Sequence, residues 1–230
     1  MNILSIETAC EHGSVALLHD GELLVRRIQG AANHSEAVLR DLRELLSEAG
    51  IGPTQLDAIA FGAGPGAFTG LRLACGVAQG IALAADLGVA AIGSLQAVAL
   101  QTGAARVFVA TDARMGELYH AAFEHDAEGV PMPVGLPGCS HPLALELPAG
   151  DWFGAGSAFK VWPQELEARF IGRLTGCRPD MVPRAEEVAR LGAVAVAREA
   201  LTPPELAAPL YVRDKVAFTT AERLARGGRA

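Results

Sequence analysis

Aromatic residues are scarce in this chain: they make up 5% of its 230 residues. With 50% hydrophobic content overall, Ala, Val and Leu must fill a core large enough for one large or two small domains. Cysteine is sparse as well. Cys10, Cys75, Cys139 and Cys177 stand far apart with no C-x-x-C pair, so structural zinc, thioredoxin chemistry and a disulfide framework have no support. Basic residues are outnumbered, 19 Lys and Arg against 26 Asp and Glu, for a formal net charge of -7. Affinity for a nucleic-acid backbone comes from neutralising phosphates, and an acidic chain is poorly equipped for it unaided. Only the last stretch is locally basic (Arg213, Lys215, Arg223, Arg226 and Arg229), and a solvated tail is expected there. The opening Met-Asn-Ile-Leu-Ser-Ile-Glu7 has no basic region, and the apolar stretch 71–85 is interrupted by Arg72 and Gln79 and is too short to span a bilayer. The expectation is a soluble, cytoplasmic protein with no membrane segment.

Several chemistries lack their motifs. Gly62-x-Gly64-x-x-Ala67 fits the dinucleotide spacing, but the strand about 20 residues on ends in Ile92-Gly93-Ser94, without the acid that would hold a ribose. No Gly-Lys-Ser/Thr phosphate loop occurs. His12, His19, His34, His120, His125 and His141 form no H-x-x-x-H or H-E-x-x-H pair, which removes a metal site built from adjacent helical ligands. His120 and His125 are expected at the surface. The Ser157 context, Gly154-Ala-Gly-Ser157, lacks the spacing of a nucleophile elbow.

What the chain has is glycine, 26 residues of it, and two related turns: Phe61-Gly-Ala-Gly-Pro-Gly-Ala-Phe-Thr-Gly-Leu-Arg72 and the shorter Phe153-Gly-Ala-Gly156. Each follows an apolar run and precedes a helical pattern. Strands are expected at 2–6, 14–18 and 22–28, with His19-Asp20-Gly21 as a hairpin turn. A helix opening at Asn33-His34-Ser35 runs to Ala49 and stops at Gly50. A strand at 56–61 leads through the first glycine turn into a helix at about 69–86, then a strand at 89–92 and a short helix at 95–101. The plan restarts with strands at 106–111 and 117–123, a proline-rich stretch at 130–148, a strand at 151–153, the second glycine turn, a helix near 160–170 and another at 183–201. Ile6-Glu7-Thr8 and Thr111-Asp112 end corresponding strands. The pattern outlines two ribonuclease-H-like lobes facing a cleft, 1–103 and 104–230.

Two functional readings attach to these parts. Gly64 and Gly66 could offer backbone N–H groups to an anion or nucleotide with Arg72 beside them, or the glycines could serve a tight turn and close packing. Glu7 and Asp112, one per lobe, could hold a metal or a water, or be strand-end carboxylates satisfied by loop N–H groups. The helix after the first glycine turn is apolar on two stripes, Leu73, Gly76, Gly80, Ala84 and Leu87 on one, Ala74, Val77, Ala78, Ile81 and Ala85 on the other. Its interior glycines cost roughly 1 kcal/mol each relative to alanine, so burial must offset them, inside the domain or against a partner. With the 35–49 helix it could form half of a four-helix interface.

The residues Ile6-Glu-Thr-Ala9, Asn33-His-Ser-Glu36, Gly64-Pro-Gly-Ala-Phe-Thr-Gly-Leu-Arg72, Asp112-Ala-Arg-Met-Gly-Glu-Leu-Tyr119 and Pro209-Leu-Tyr-Val-Arg-Asp214 together resemble the bacterial TsaB family, also called YeaZ, over nearly the whole chain. The resemblance implies an α/β, ASKHA-type (actin-like ATPase and kinase) fold of two duplicated lobes, each a mixed sheet with flanking helices. It implies a non-catalytic role in making threonylcarbamoyladenosine beside the anticodon of tRNAs that read codons beginning with A, with TsaD as the transferase and TsaE as an ATPase that joins the complex. ATP and metal are expected on those partners, no cofactor on this chain, and tRNA contact only through the complex. Homodimers are expected to use an overlapping surface. The TsaD metal-binding H-x-E-G-H stretch corresponds here to Ser94-Leu-Gln-Ala-Val98, which has no imidazole. Val38, Leu42, Leu45, Ala74, Val77 and Ile81 are the residues expected to touch TsaD. A nucleotide-hydrolysing enzyme using Glu7 and Asp112, or a metallopeptidase, is the competing expectation.

Overall fold

A computed structural model describes residues 1–29 and 34–213. The Asn33 start of the first helix and the basic residues from Lys215 onward lie outside the described residues. The first sheet has the order β3-β2-β1-β4-β5, from β1 (Asn2–Glu7), β2 (His12–His19), β3 (Glu22–Gln29), β4 (Ala58–Gly64) and β5 (Val89–Gly93). Strands β1 to β3 are antiparallel and β4 and β5 join in parallel. The second sheet has the order β11-β10-β6-β7-β8, from β6 (Arg106–Asp112), β7 (Leu118–His125), β8 (Pro131–Pro133), β10 (Trp152–Ala155) and β11 (Leu174–Arg178), with β9 (Gly138–Ser140) also pairing β7. Strand for strand, order and sense repeat those of the first sheet. The two Phe-Gly-Ala-Gly turns end in the same left-handed backbone, φ 106° at Gly64 and 109° at Gly156. The molecule is a duplicated, two-lobed ASKHA fold.

Local sequence explains most elements. Asp20 and Gly21 take φ of 50° and 89°, which a two-residue hairpin turn between β2 and β3 requires. Alternation along β1 sends Leu4 and Ile6 to one face, where they meet Val15, Leu17 and helices α1 (His34–Ala49) and α2 (Phe68–Ala85). Gly50, at φ 68°, ends α1: its N–H reaches the Ser47 carbonyl and the Ile51 N–H the Leu46 carbonyl. The 160–170 pattern becomes two short helices, α4 (Ala158–Val161) and α5 (Pro163–Arg169), because Pro163 cannot continue the hydrogen bonding of the first.

Two helices cross between the lobes. The opposite face of the first sheet, with Ile3, Ala58, Ala60 and Ala90, is covered by α6 (Ala185–Ala197). A Cβ at Gly192 would sit 2.8 Å from that of Ala60, so helix and sheet are in close apposition. Conversely α3 (Ser94–Leu100) turns Leu95, Val98 and Ala99 onto Val107, Val109 and Tyr119 of the second sheet. Each of these helices comes after the last strand of its own half and covers the bare face of the other sheet. The expected division at 103/104 therefore assigns α3 and α6 each to the sheet it does not chiefly cover.

Candidate functional site

The most confined region lies where the loop after β1 meets the glycine turn after β4. Glu7 is fully buried. Its Oε1 accepts the Ala9 N–H at 2.6 Å and its Oε2 the Ser94 hydroxyl at 2.8 Å. Burial outweighs these bonds and raises its pKa to about 7. The Ala67 N–H donates to the Ala9 carbonyl at 2.7 Å, and the Thr8 hydroxyl to the Gly70 carbonyl at 2.8 Å. A Cβ at Gly62 would overlap the Glu7 carboxylate, one at Gly66 would overlap Ala9, and one at Gly70 the Thr8 carbonyl. Glycines at these positions let loop and turn lie backbone on backbone.

Close packing accounts for these glycines, and the three residues read as a possible anion contact do not converge on one point. Gly64 is buried under Leu71 and the Leu210 carbonyl. Arg72 points away from the turn: its guanidinium lies 3.7 Å above the Phe68 ring, and its Nε donates to Tyr211 Oη at 3.0 Å. Of the three, only Gly66 lines the space between the lobes.

That space is a cleft of about 1100 Å³. Thr8, Glu11, Ser94, Asp112, Ser157, Lys160 and Arg213 contribute polar walls, and Leu73, Leu95 and Met181 apolar ones. Asp112 faces it, but its Oδ1 accepts the Arg114 N–H at 2.9 Å, whereas Glu7 is sealed beneath the floor. The carboxylates are satisfied strand-end groups. Cys10 also lines the cleft, and burial together with the Glu7 charge pushes its thiol up to about 12, far from a nucleophile at neutral pH. Among the described residues no three of His, Cys, Asp and Glu converge as metal ligands. His120 and His125 are half-buried rather than fully exposed: His120 stacks on Phe108 with a pKa lowered by burial, and the two ring nitrogens of His125 are enclosed.

Helix α2 presents the other candidate surface. At eighteen residues it is longer than the apolar stretch suggests and, by length and composition alone, apolar enough to cross a membrane, yet one face is seated on the first sheet. Gly70, Leu71, Ala74, Cys75, Ala78 and Ala82 are buried. The outer face carries Gly76, Gly80, Leu83 and Ala84, with Leu83 63% exposed and open space where Cβ atoms at Gly76 and Gly80 would be. The residues expected to touch a partner divide accordingly. Val38, Leu42, Leu45 and Ala74 belong to the interior between α1, α2 and the sheet, which corrects the expectation for these four. Val77 and Ile81 are half-buried at the rim of the outer face.

Comparison with known proteins decides the family. The family model described as TsaD, tRNA N6-adenosine threonylcarbamoyltransferase, matches residues 29–135. A solved structure titled YeaZ from Pseudomonas aeruginosa superposes with a TM-score of 0.81 at 35% identity, over 91% of this chain and 100% of that one. The tRNA threonylcarbamoyladenosine biosynthesis protein TsaB of Haemophilus influenzae is 42% identical over 123 residues, 52% of each chain. The protein of the same name from Escherichia coli K12 is 32% identical over 95% of this chain and 97% of its own. This chain belongs to the TsaB family.

In this TsaB-family chain, residues 94–98 form the first turn and a half of α3. Ser94 is spent on Glu7, Gln96 Nε2 donates to the Pro131 carbonyl at 2.9 Å, and Leu95, Ala97 and Val98 are buried. Sequence reading missed Leu83 and, of its three α2 residues, placed Ala74 on the outer face although it is buried. A signal was present: a glycine at 70 that must approach the β1 loop places positions 74, 78 and 82, four residues apart, on the inner face, leaving 76, 80, 83 and 84 outside.

Proposed function

We propose that this chain is a non-catalytic subunit of tRNA threonylcarbamoyladenosine biosynthesis that docks on TsaD through the outer face of α2. The relatives named above carry the pathway in their names. The observation that bears most on docking is the uncovered apolar face of α2, where Gly76 and Gly80 leave room for a close approach and Leu83 stands proud, rimmed by Leu73, Val77 and Ile81. Small residues let helices pack with short axial distance. TsaD supplies the transferase site and TsaE the ATPase, the metal and ATP stay on those partners, and tRNA that reads codons beginning with A is reached only through the complex. A homodimer on the same face competes with TsaD.

Leu83→Glu and Val77→Glu test this by calorimetric titration with TsaD. An unpaired charge forced into an apolar contact costs about 3 kcal/mol, a hundredfold or more in affinity. Leu83 is exposed, so its variant keeps the fold. Wild-type affinity in both variants would refute docking through α2.

A further inference from the structure

The stretches 112–119 and 209–213 carried the family resemblance, have no part in the docking just described, and meet in space. Segment 201–213 starts on the first lobe, where Thr202 exchanges both backbone hydrogen bonds with Val89 at 2.9 Å, and Leu201 packs against Gly88. Its middle is tied to α2: Gln79 Nε2 donates to the carbonyls of Pro204 and Ala207 at 3.0 and 3.1 Å. It then crosses the glycine turn, the Leu210 N–H donating to the Ala63 carbonyl at 2.8 Å. Tyr211 accepts from Arg72 of α2, Val212 packs on the core of the second lobe, and Arg213 ends in the cleft wall. The guanidinium of Arg213 pairs with Glu117 at 2.6 Å, lies over the Tyr119 ring and approaches the Arg114 carbonyl at 3.3 Å. Its side chain is only 11% exposed.

The loop that Arg213 grips is strained. Arg114, Met115 and Gly116 take φ of 62°, 58° and 82° in succession, a left-handed run that non-glycine residues hold only when surroundings enforce it. The same loop reaches across the cleft mouth, where Arg114 pairs with Glu11 of the first lobe at 2.6 Å.

We propose that segment 201–213 is an interlobe strap latched by Arg213: it holds the loop 113–117 in its strained form and the cleft mouth closed, and, because its middle is bonded to α2, it couples a protein seated on α2 to the cleft. The coupling, though not the latch, rests on the docking proposed above. Withdrawal of Arg213 frees Glu117 and the Arg114 carbonyl, lets the left-handed run relax and releases Arg114 from Glu11.

Hydrogen exchange by mass spectrometry on the full chain tests both parts. In Arg213→Ala and in Glu117→Ala, peptides covering 8–12 and 112–117 exchange about tenfold faster or more, Arg213→Lys falls between, and β1 and β4 are unchanged. Unchanged loops in both alanine variants, or acceleration of every peptide together, overturns the latch. With TsaD added, protection reaches 112–117 in the wild type and is lost in Arg213→Ala. Protection confined to α2 refutes the coupling. If TsaD protects nothing, docking on α2 fails, and exchange in the free chain still decides the latch.

Discussion

Replacing Glu7 by glutamine should change how stability depends on pH, by an amount that follows from its surroundings. The carboxyl is sealed between β1, the glycine turn and α3, and burial raises its pKa from 4.5 to about 7 against the opposing bonds from Ala9, Ser94 and Thr8. The folded state therefore keeps its proton over a pH range where the unfolded chain has released it. The stability contribution is complete below the unfolded value near 4.5 and is lost as pH rises through about 7. A gap of about two and a half pH units between the two states is worth about 3 kcal/mol. Glutamine keeps an oxygen for the Ala9 N–H and an amide to donate to Ser94, but it does not titrate. Urea unfolding of both proteins at several values from pH 5 to 8 isolates the effect, since Glu187, raised by burial, and His120, lowered by it, titrate in both and cancel in the difference. Relative to wild type, Glu7→Gln should gain about 2.5 kcal/mol between pH 5 and 8, most of the full difference. A flat difference, or one of opposite slope, would refute the claim that the carboxyl is held protonated by burial.

One substitution should act with opposite signs on the two faces of α2. Gly80→Ala faces open space and should raise stability by about 1 kcal/mol, whereas Gly70→Ala must displace the Thr8 backbone and should lower it by roughly 1–3 kcal/mol, both read by urea unfolding. Leu45→Ala empties an interior position and should cost roughly 2–5 kcal/mol of stability, while any TsaD binding by the folded fraction stays as in wild type; a binding defect at full stability would return Leu45 to the interface. Cys10 should react with iodoacetamide at pH 8 far more slowly than a cysteine in an unfolded peptide, as followed by mass spectrometry, because its thiol stays protonated.

The strands and turns that position the cleft floor were readable because each rests on a local rule. Alternation marked β1 and β2, a continuous apolar run before the glycine turn marked β4, the Asp20-Gly21 pair marked the hairpin, and the repeated Phe-Gly-Ala-Gly marked the duplication. What escaped was set by distant partners. Strand β11, Leu-Thr-Gly-Cys-Arg at a sheet edge and nowhere fully buried, has no apolar period to reveal it. The lobe-crossing of α3 and α6 leaves no mark in their own sequences, since an apolar face fits either sheet equally well. The half-buried His120 and His125 read as surface residues because a histidine on a strand does not state which layer lies above it.

Helix α2 shows why site residues are harder to read than folds. Gly70 is required by the Thr8 carbonyl against it, whereas Gly76 and Gly80 meet nothing among the described residues. Identical letters, with the same intrinsic penalty in a helix, therefore serve an internal contact on one face and leave a bare surface on the other. The first use explains the glycine turn without a ligand, because the Ala9–Ala67 bond already fills the gap between the loop after β1 and the turn. The second use has no explanation among the described residues: two glycines lower the stability of a helix that gains nothing from them there, and a close-packed partner is the physical condition under which they are an advantage. If Gly76 and Gly80 exist for docking, alanine at both positions should stabilise the free chain and weaken its complex with TsaD. Variants that are more stable and bind as tightly as wild type would remove the main physical reason for placing the partner on this face.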